Sequence, residues 1–274
     1  MAKKLRLILI IVLLAVFIVS TSLLIRQLVD NKKNKDIYDN ALDIALGSAE
    51  AEEAVELKIW IPEPVEDDQY YDKMMDINLD ALRERNEDVV GWIRIPNTNL
   101  DYPIMQGEDN EYYLNHAWNN DNSFSGSIFL ESRSNPSFAE HNTIVYGHNM
   151  RNGSMFATLR EYKKDKFRQK KPYVYIRTDE GVFRYEIFAS FDAPLDSPVY
   201  GLSFNQTETK VKLLEFCKEN SVIETEIEPE ITDRILTLST CTNTGYSSRW
   251  VVMARLKMVE VPLSELAETI TEVN

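Results

Sequence analysis

Between residues 89 and 256 the chain carries eight short β-prone runs: VVGWIRI, LDYPI, GSIFL, NTIVYG, YVYIR, VFRYEIFASF, ILTLST and RWVVMARL. They are rich in branched and aromatic residues, and turn formers such as Pro96-Asn97, Gly126, Asn142 and Asp179-Glu180-Gly181 separate most of them. Many short strands leave many edges, and a chain disposes of edges by closing a barrel or stacking a sandwich. Helical spacing interrupts the strands at 110–115, 154–162 and 207–220, and a further helical stretch at 72–85 places Met75, Leu79 and Leu82 on one side. The pattern predicts a mainly β domain with peripheral helices.

The residues before this domain have another character. Positions 7–25 hold no charge and only Ser20, Thr21 and Ser22 are polar. At about 1.5 Å per residue such a helix nearly crosses a hydrocarbon core of about 30 Å. A cleaved signal peptide is the competing reading and fits less well, because the run is long and no small-residue cleavage site follows it; an N-terminal transmembrane anchor is expected. Lys3, Lys4 and Arg6 on one flank are matched by Arg26, Lys32, Lys33 and Lys35 on the other. Charge therefore says little about orientation. A long C-terminal domain behind a first anchor is usually translocated, which sets the expectation of a single-pass protein of the cell membrane with its domain outside. From 36 to 88 there are 17 acidic residues against Lys58, Lys73, Arg83 and Arg85. Such a block reads as a solvated spacer. The expected layout is an anchor at 1–30, an acidic stalk at 31–75 and a folded domain at 76–274. A net charge of −14 argues against a nucleic-acid partner.

Three strand ends carry chemistry. ILTLSTC stops at Cys241, RWVVMARL is opened by Arg249, and NTIVYGHNM places His148 just past an apolar run. A thiol, an imidazole and a guanidinium held by rigid strands are the parts needed for acyl transfer through a thioester. Taken singly, each has a plainer reading: a core thiol, a turn histidine, a surface arginine. Together they favour a site. Cys217 lies in VKLLEFCKEN, on the apolar side of a helix, and reads as core; a disulfide between it and Cys241 would remove the nucleophile. His116 and His141 read as structural or solvated. The three histidines are 25 and 7 residues apart, which matches no metal-ligand spacing, so neither metal nor cofactor is expected.

TLSTC, an arginine soon after it on the next strand, and YGHNM together resemble a sortase. The helix between VFRYEIFASF and ILTLSTC, and the segment GWIRIPNTNLDYPIMQGEDNEYYL at 91–114, are similar to class B in particular. The resemblance covers about 76–258. It implies an eight-stranded sortase-type β-barrel and a membrane-anchored cysteine transpeptidase of Gram-positive surfaces. Such an enzyme cleaves a C-terminal sorting signal, here of the NPxTN or NPxTG kind, after its threonine. The thioacyl-enzyme then passes the protein to an amine of the cell wall or its lipid-linked precursor; some relatives polymerise pilins instead. By this resemblance Cys241 is the nucleophile, His148 the proton donor and acceptor, and Arg249 the group that holds the substrate backbone or the developing oxyanion. Asn110, Leu114, Tyr146, Ser239 and Thr240 fall at positions that line the peptide groove, and 193–220 at the loop and helix that read the signal. Thr242 stands where relatives often have an acid.

Other classes fit less well. Papain-like enzymes place Cys before His, the reverse of the order here. An L,D-transpeptidase has Gly before its Cys and Arg two residues after it, and neither is present. A non-catalytic anchored surface protein remains as the third alternative, in which the strand ends only carry loops.

Overall fold

The computed structural model describes residues 58–62, 68–241 and 247–262, with 58–62, 241 and 259–262 described as backbone only. The expected anchor at 1–30, most of the stalk and residue Thr242 lie outside the described residues. Among the described residues no helix is long and apolar enough to cross a membrane.

Among the described residues ten strands form two sheets. β1 (Lys58–Pro62) pairs with β10 (Met258–Pro262) as an antiparallel ribbon. β2 (Val89–Arg94), β3 (Asp101–Met105), β4 (Ile128–Leu130), β5 (Asn142–His148), β6 (Tyr173–Thr178), β7 (Gly181–Pro194), β8 (Arg234–Cys241) and β9 (Ser248–Leu256) close a barrel in the order β2-β3-β4-β5-β8-β9-β7-β6. All eight runs read from the sequence are strands. The barrel is mixed: β3–β4 and β5–β8 are parallel pairs and the remaining pairs are antiparallel. Closure leaves the eight strands without a free edge, which answers the liability of many short strands.

Alternation along each strand sorts the side chains to two faces. Val145, Leu236, Leu238, Val252, Ala254 and Ile187 point inward and pack with Phe156, Leu159 and Tyr162. Outside, the helix Thr207–Asn220 lays Leu213 and Cys217 on Phe191, Ile235, Val251 and Met253. On the other flank Leu79 and Tyr113 cover Val89, Met105 and Phe129. Between these two covers runs the outer face of β5 and β8, which carries Tyr146, His148 and Ser239.

The helical expectations hold in position, but two shorten to 3-10 turns, Tyr112–Leu114 and Phe156–Lys163. The 72–85 helix is corrected. It is two helices, Gln69–Met75 and Leu79–Arg83, because the Asn78 side chain accepts from the Ala81 N–H and starts a new N-terminus. The break resets the helical phase, so Met74 is buried and Met75 is exposed.

Candidate active site

β5 and β8 run parallel and in register, with Tyr146 opposite Ser239, Gly147 opposite Thr240 and His148 opposite Cys241. Strand neighbours lie about 4.8 Å apart, so the two catalytic candidates are brought together by backbone pairing rather than by loops. β9 completes the set. Its antiparallel register with β8 sets Ser239 opposite Val251. Two residues further along β8 is Cys241, and two residues earlier on β9 is Arg249, which also stands opposite Ala193 of β7. Three strands therefore deliver His148, Cys241 and Arg249 to one end of the barrel. The Cys241 side chain lies outside the described residues.

Gly147 sits between Tyr146 and His148 and faces the interior. A Cβ there would stand 2.4 Å from Ile128 Cδ1 and 2.8 Å from the Phe156 ring. The strand can approach the core this closely only without a side chain.

His148 is buried, and its Nε2 lies 2.6 Å from the Leu114 carbonyl oxygen. A carbonyl only accepts, so Nε2 carries the hydrogen and donates it. The tautomer follows: Nδ1 is the nitrogen of this ring that takes up and releases a proton. Leu114 thus serves the site through its backbone, while its side chain packs against the apolar cluster of Leu79, Val89, Met105, Tyr113 and Phe129.

The segment holding that carbonyl is fixed from several sides. Asp109 accepts from the N–H groups of Glu111 and Tyr112, both at 2.9 Å, and the Tyr112 and Glu111 donors hold its carboxyl below the usual carboxylate range. Tyr113 is fully buried; its hydroxyl donates to Asp88 at 2.6 Å and accepts from Asn86 at 2.9 Å. Burial, helped by the Asp88 carboxylate, pushes that hydroxyl's pKa up. Gly126, at φ +55, lies against the Tyr113 and Leu114 carbonyls, where a Cβ would come within 2.6 Å of both oxygens.

The expected groove residues divide. Tyr146 is half-buried and donates its hydroxyl to Glu131 at 3.1 Å. Ser239 is buried and bonds to the Tyr200 hydroxyl at 3.1 Å, linking the floor strand to the turn Pro198–Tyr200. Asn110 gives its amide to Glu131 at 2.7 Å and accepts from the Ser132 N–H at 2.8 Å. Thr240 does not line this face. It turns inward, fully buried, with its hydroxyl on both the N–H and carbonyl of Trp250 at 3.2 Å, because adjacent residues of a strand point to opposite sides.

Two residues central to this architecture were not among the site candidates read from the sequence, where Asn142 counted only as a turn residue. One is Glu131. The other is Asn142, buried, which donates to the Val199 carbonyl at 2.9 Å and accepts from Thr237 at 2.6 Å. It ties the β7-to-helix connection to the two floor strands. Their sequence signal is slight: an acid directly after an apolar run, and an Asn that opens one.

Cys217 is a free, buried thiol, as its place on the apolar helix side implies, and burial pushes its pKa up to about 12. It lines a cavity of about 370 Å³ with Phe188, Leu214, Ile223 and Ile227, away from the β5–β8 ladder. His116 stacks on Tyr112, with ring centroids 4.0 Å apart. His141 is pushed down to about 4, chiefly by burial and then by Lys210.

Parallel pairing that presents a histidine beside a cysteine at one strand end suits nucleophilic acyl transfer, and comparison with known proteins places the chain in such a class. A Sortase domain model matches residues 93–257. Sortase B of Listeria monocytogenes is 34% identical over 247 residues, covering 89% of this chain and 94% of the relative. A Staphylococcus aureus sortase B–substrate complex superposes with a TM-score of 0.64 at 29% identity, over 70% of this chain and 90% of that one. A sortase B structure in complex with triglycine gives 0.62 at 30% identity, over 67% and 85%. The chain belongs to the sortase family, and its relatives are of class B. It is a cysteine transpeptidase of that type.

Proposed function

We propose that this protein is a membrane-anchored sortase that cleaves a C-terminal sorting signal of the NPxTN or NPxTG kind after its threonine. The acyl group then passes to an amine of the cell wall or its precursor, with the domain on the outer face of the membrane. The observation that carries this reading is the in-register pairing of His148 with Cys241, with Arg249 entering from β9. Relatives solved with a substrate and with triglycine support a peptide donor and an amine acceptor.

In the acylation half, the Cys241 thiolate attacks the threonine carbonyl, and the charge that develops on oxygen is met by the Arg249 guanidinium. The C–N bond breaks as His148 Nδ1–H protonates the leaving amine, which leaves a thioester. An incoming amine attacks the thioester, gives its proton to Nδ1, and expels the thiolate. Retention of the Nε2 hydrogen by the Leu114 carbonyl keeps Nδ1 as the shuttle in both halves. Tyr146 forms part of the peptide-facing floor, Ser239 lies buried beneath it against Tyr200, and the 193–220 region supplies the opposite wall.

The test is incubation with NPxTN, NPxTG, SPxTx and LPxTx peptides plus triglycine, with mass detection of thioester and product. Thioester on Cys241 with an NPxT peptide is expected, and Cys241→Ala abolishes it. A Cys241→Ala protein that still transfers peptide overturns the assignment. Protease protection of the full chain in a Gram-positive host tests the anchor and its orientation.

A further inference from the structure

Glu131 is an acid where stability alone does not call for one. Its side chain is only 3% exposed, directly after β4. A buried carboxylate is costly unless donors surround it, and an apolar residue of similar volume is often at least as stabilising. Three donors reach it. Arg133 Nε bonds Oε1 at 2.9 Å, but that side chain is 73% exposed and constrains little. The other two converge on Oε2: Asn110 Nδ2 at 2.7 Å and the Tyr146 hydroxyl at 3.1 Å.

Those two donors belong to different walls. Tyr146 stands on the floor strand opposite Ser239, one step from the His148–Cys241 pair. Asn110 opens the segment that runs through the Tyr112–Leu114 turn to the carbonyl holding His148. We infer that Glu131 is a positioning residue for the donor peptide: its Oε2 locks Asn110 and Tyr146 in the arrangement that receives the sorting signal, an inference that rests on the function proposed above. A carboxylate suits this task because it only accepts. A glutamine that keeps its one amide oxygen at the Oε2 position turns its NH2 group against the Arg133 Nε–H donor, and the bonds from Asn110 and Tyr146 both lose the charge that strengthens them.

The effect falls on peptide binding more than on chemistry. The far end of the segment is held separately, by buried Tyr113 with Asp88 and by the Ser127 N–H on the Tyr113 carbonyl at 2.9 Å. Loss of Glu131 therefore loosens Asn110 and Tyr146 while the Leu114 carbonyl stays in place.

Full-length wild type, Glu131→Gln, Tyr146→Phe and the double variant are assayed with an NPxT peptide and triglycine, alongside thermal unfolding. Glu131→Gln is expected to raise the peptide KM about tenfold, because the bonds from Asn110 and Tyr146 both lose their charge assistance, with kcat and the triglycine KM unchanged. Tyr146→Phe raises the peptide KM as well, and the double variant falls short of the sum of the two effects, because both act on one contact. A wild-type peptide KM in Glu131→Gln overturns the inference. So does a fall in kcat for all substrates that tracks a lowered unfolding temperature, or a double variant whose effects add. Should Glu131→Gln not fold, an unaltered KM in Tyr146→Phe overturns it alone. A wild type inert toward every peptide defeats the proposed function itself, whereas an active wild type with an indifferent Glu131→Gln defeats only the positioning role.

Discussion

Gly147→Ala tests whether the floor of the site is set by the barrel interior. The added Cβ stands 2.4 Å from Ile128 Cδ1 and 2.8–2.9 Å from two Phe156 ring atoms. Carbon atoms prefer about 3.5–4.0 Å, so the first contact is at least about 1 Å too short. Crowding of this kind costs about 1–3 kcal/mol. Against it stands the gain of about 0.5–1 kcal/mol when Ala replaces Gly within a strand. The clash wins, because Phe156 is fully buried with little room to retreat. With the clash at the upper end of its range the expected net loss is about 2–2.5 kcal/mol, or about 4–10 °C in Tm for a domain of this size. Activity falls further than stability. The strand is pushed outward between Tyr146 and His148, and a misplacement of 1 Å at a reacting group costs about a hundredfold in rate. Urea unfolding followed by tryptophan fluorescence and kcat for peptide transfer measure the two effects. Ile128→Val removes the Cδ1 carbon, so the double variant recovers part of both losses. An alanine variant as stable and as fast as wild type refutes the reasoning, as does a double variant that is no better than Gly147→Ala.

Two further outcomes follow from ionisation. The folded Cys217 thiol sits near 12 against an ordinary 9.0, so the unfolded chain loses its proton first. Its contribution to stability is complete below pH 9 and declines as pH rises from 9 toward 12; denaturant midpoints at pH 8 and 10.5 show the drop, and Cys217→Ala flattens it. In the native protein at pH 8 iodoacetamide labels Cys241 and spares Cys217, and stoichiometric labelling of both contradicts the buried placement. His141 is shifted the other way, to about 4 from 6.5, so its contribution is complete above pH 6.5 and is lost as pH falls toward 4. His141→Gln should lessen the acid-side loss of stability between pH 6.5 and 4.5, measured by urea unfolding.

The barrel was legible because its eight strands are locally consistent: branched and aromatic runs with turn residues between most of them. The candidate pair His148 and Cys241 was legible because both residues end such runs. What stayed hidden depends on contacts that periodicity does not encode. Asn78 looks like any polar residue inside a helical pattern, yet its side chain starts a second helix and moves burial from Met75 to Met74. Thr240 neighbours the candidate nucleophile in sequence, yet alternation sends it to the other face, onto Trp250. Leu114 was noticed for its side chain, while it is its carbonyl that holds His148. Glu131 and Asn142 are distant in sequence from most of the groups they bond, and only the closed barrel brings them together.

The parallel seam between β5 and β8 has a consequence for how the enzyme comes into being. His148 and Cys241 are 93 residues apart in the chain, and a parallel pair cannot be made by a local hairpin. Contacts of such long sequence separation form slowly. A nascent or partly folded chain therefore holds the thiol without the imidazole beside it. The site ripens only when the last strands are in register. Transpeptidation is thus a reporter of completed folding, and its lag after dilution from denaturant measures when the seam closes.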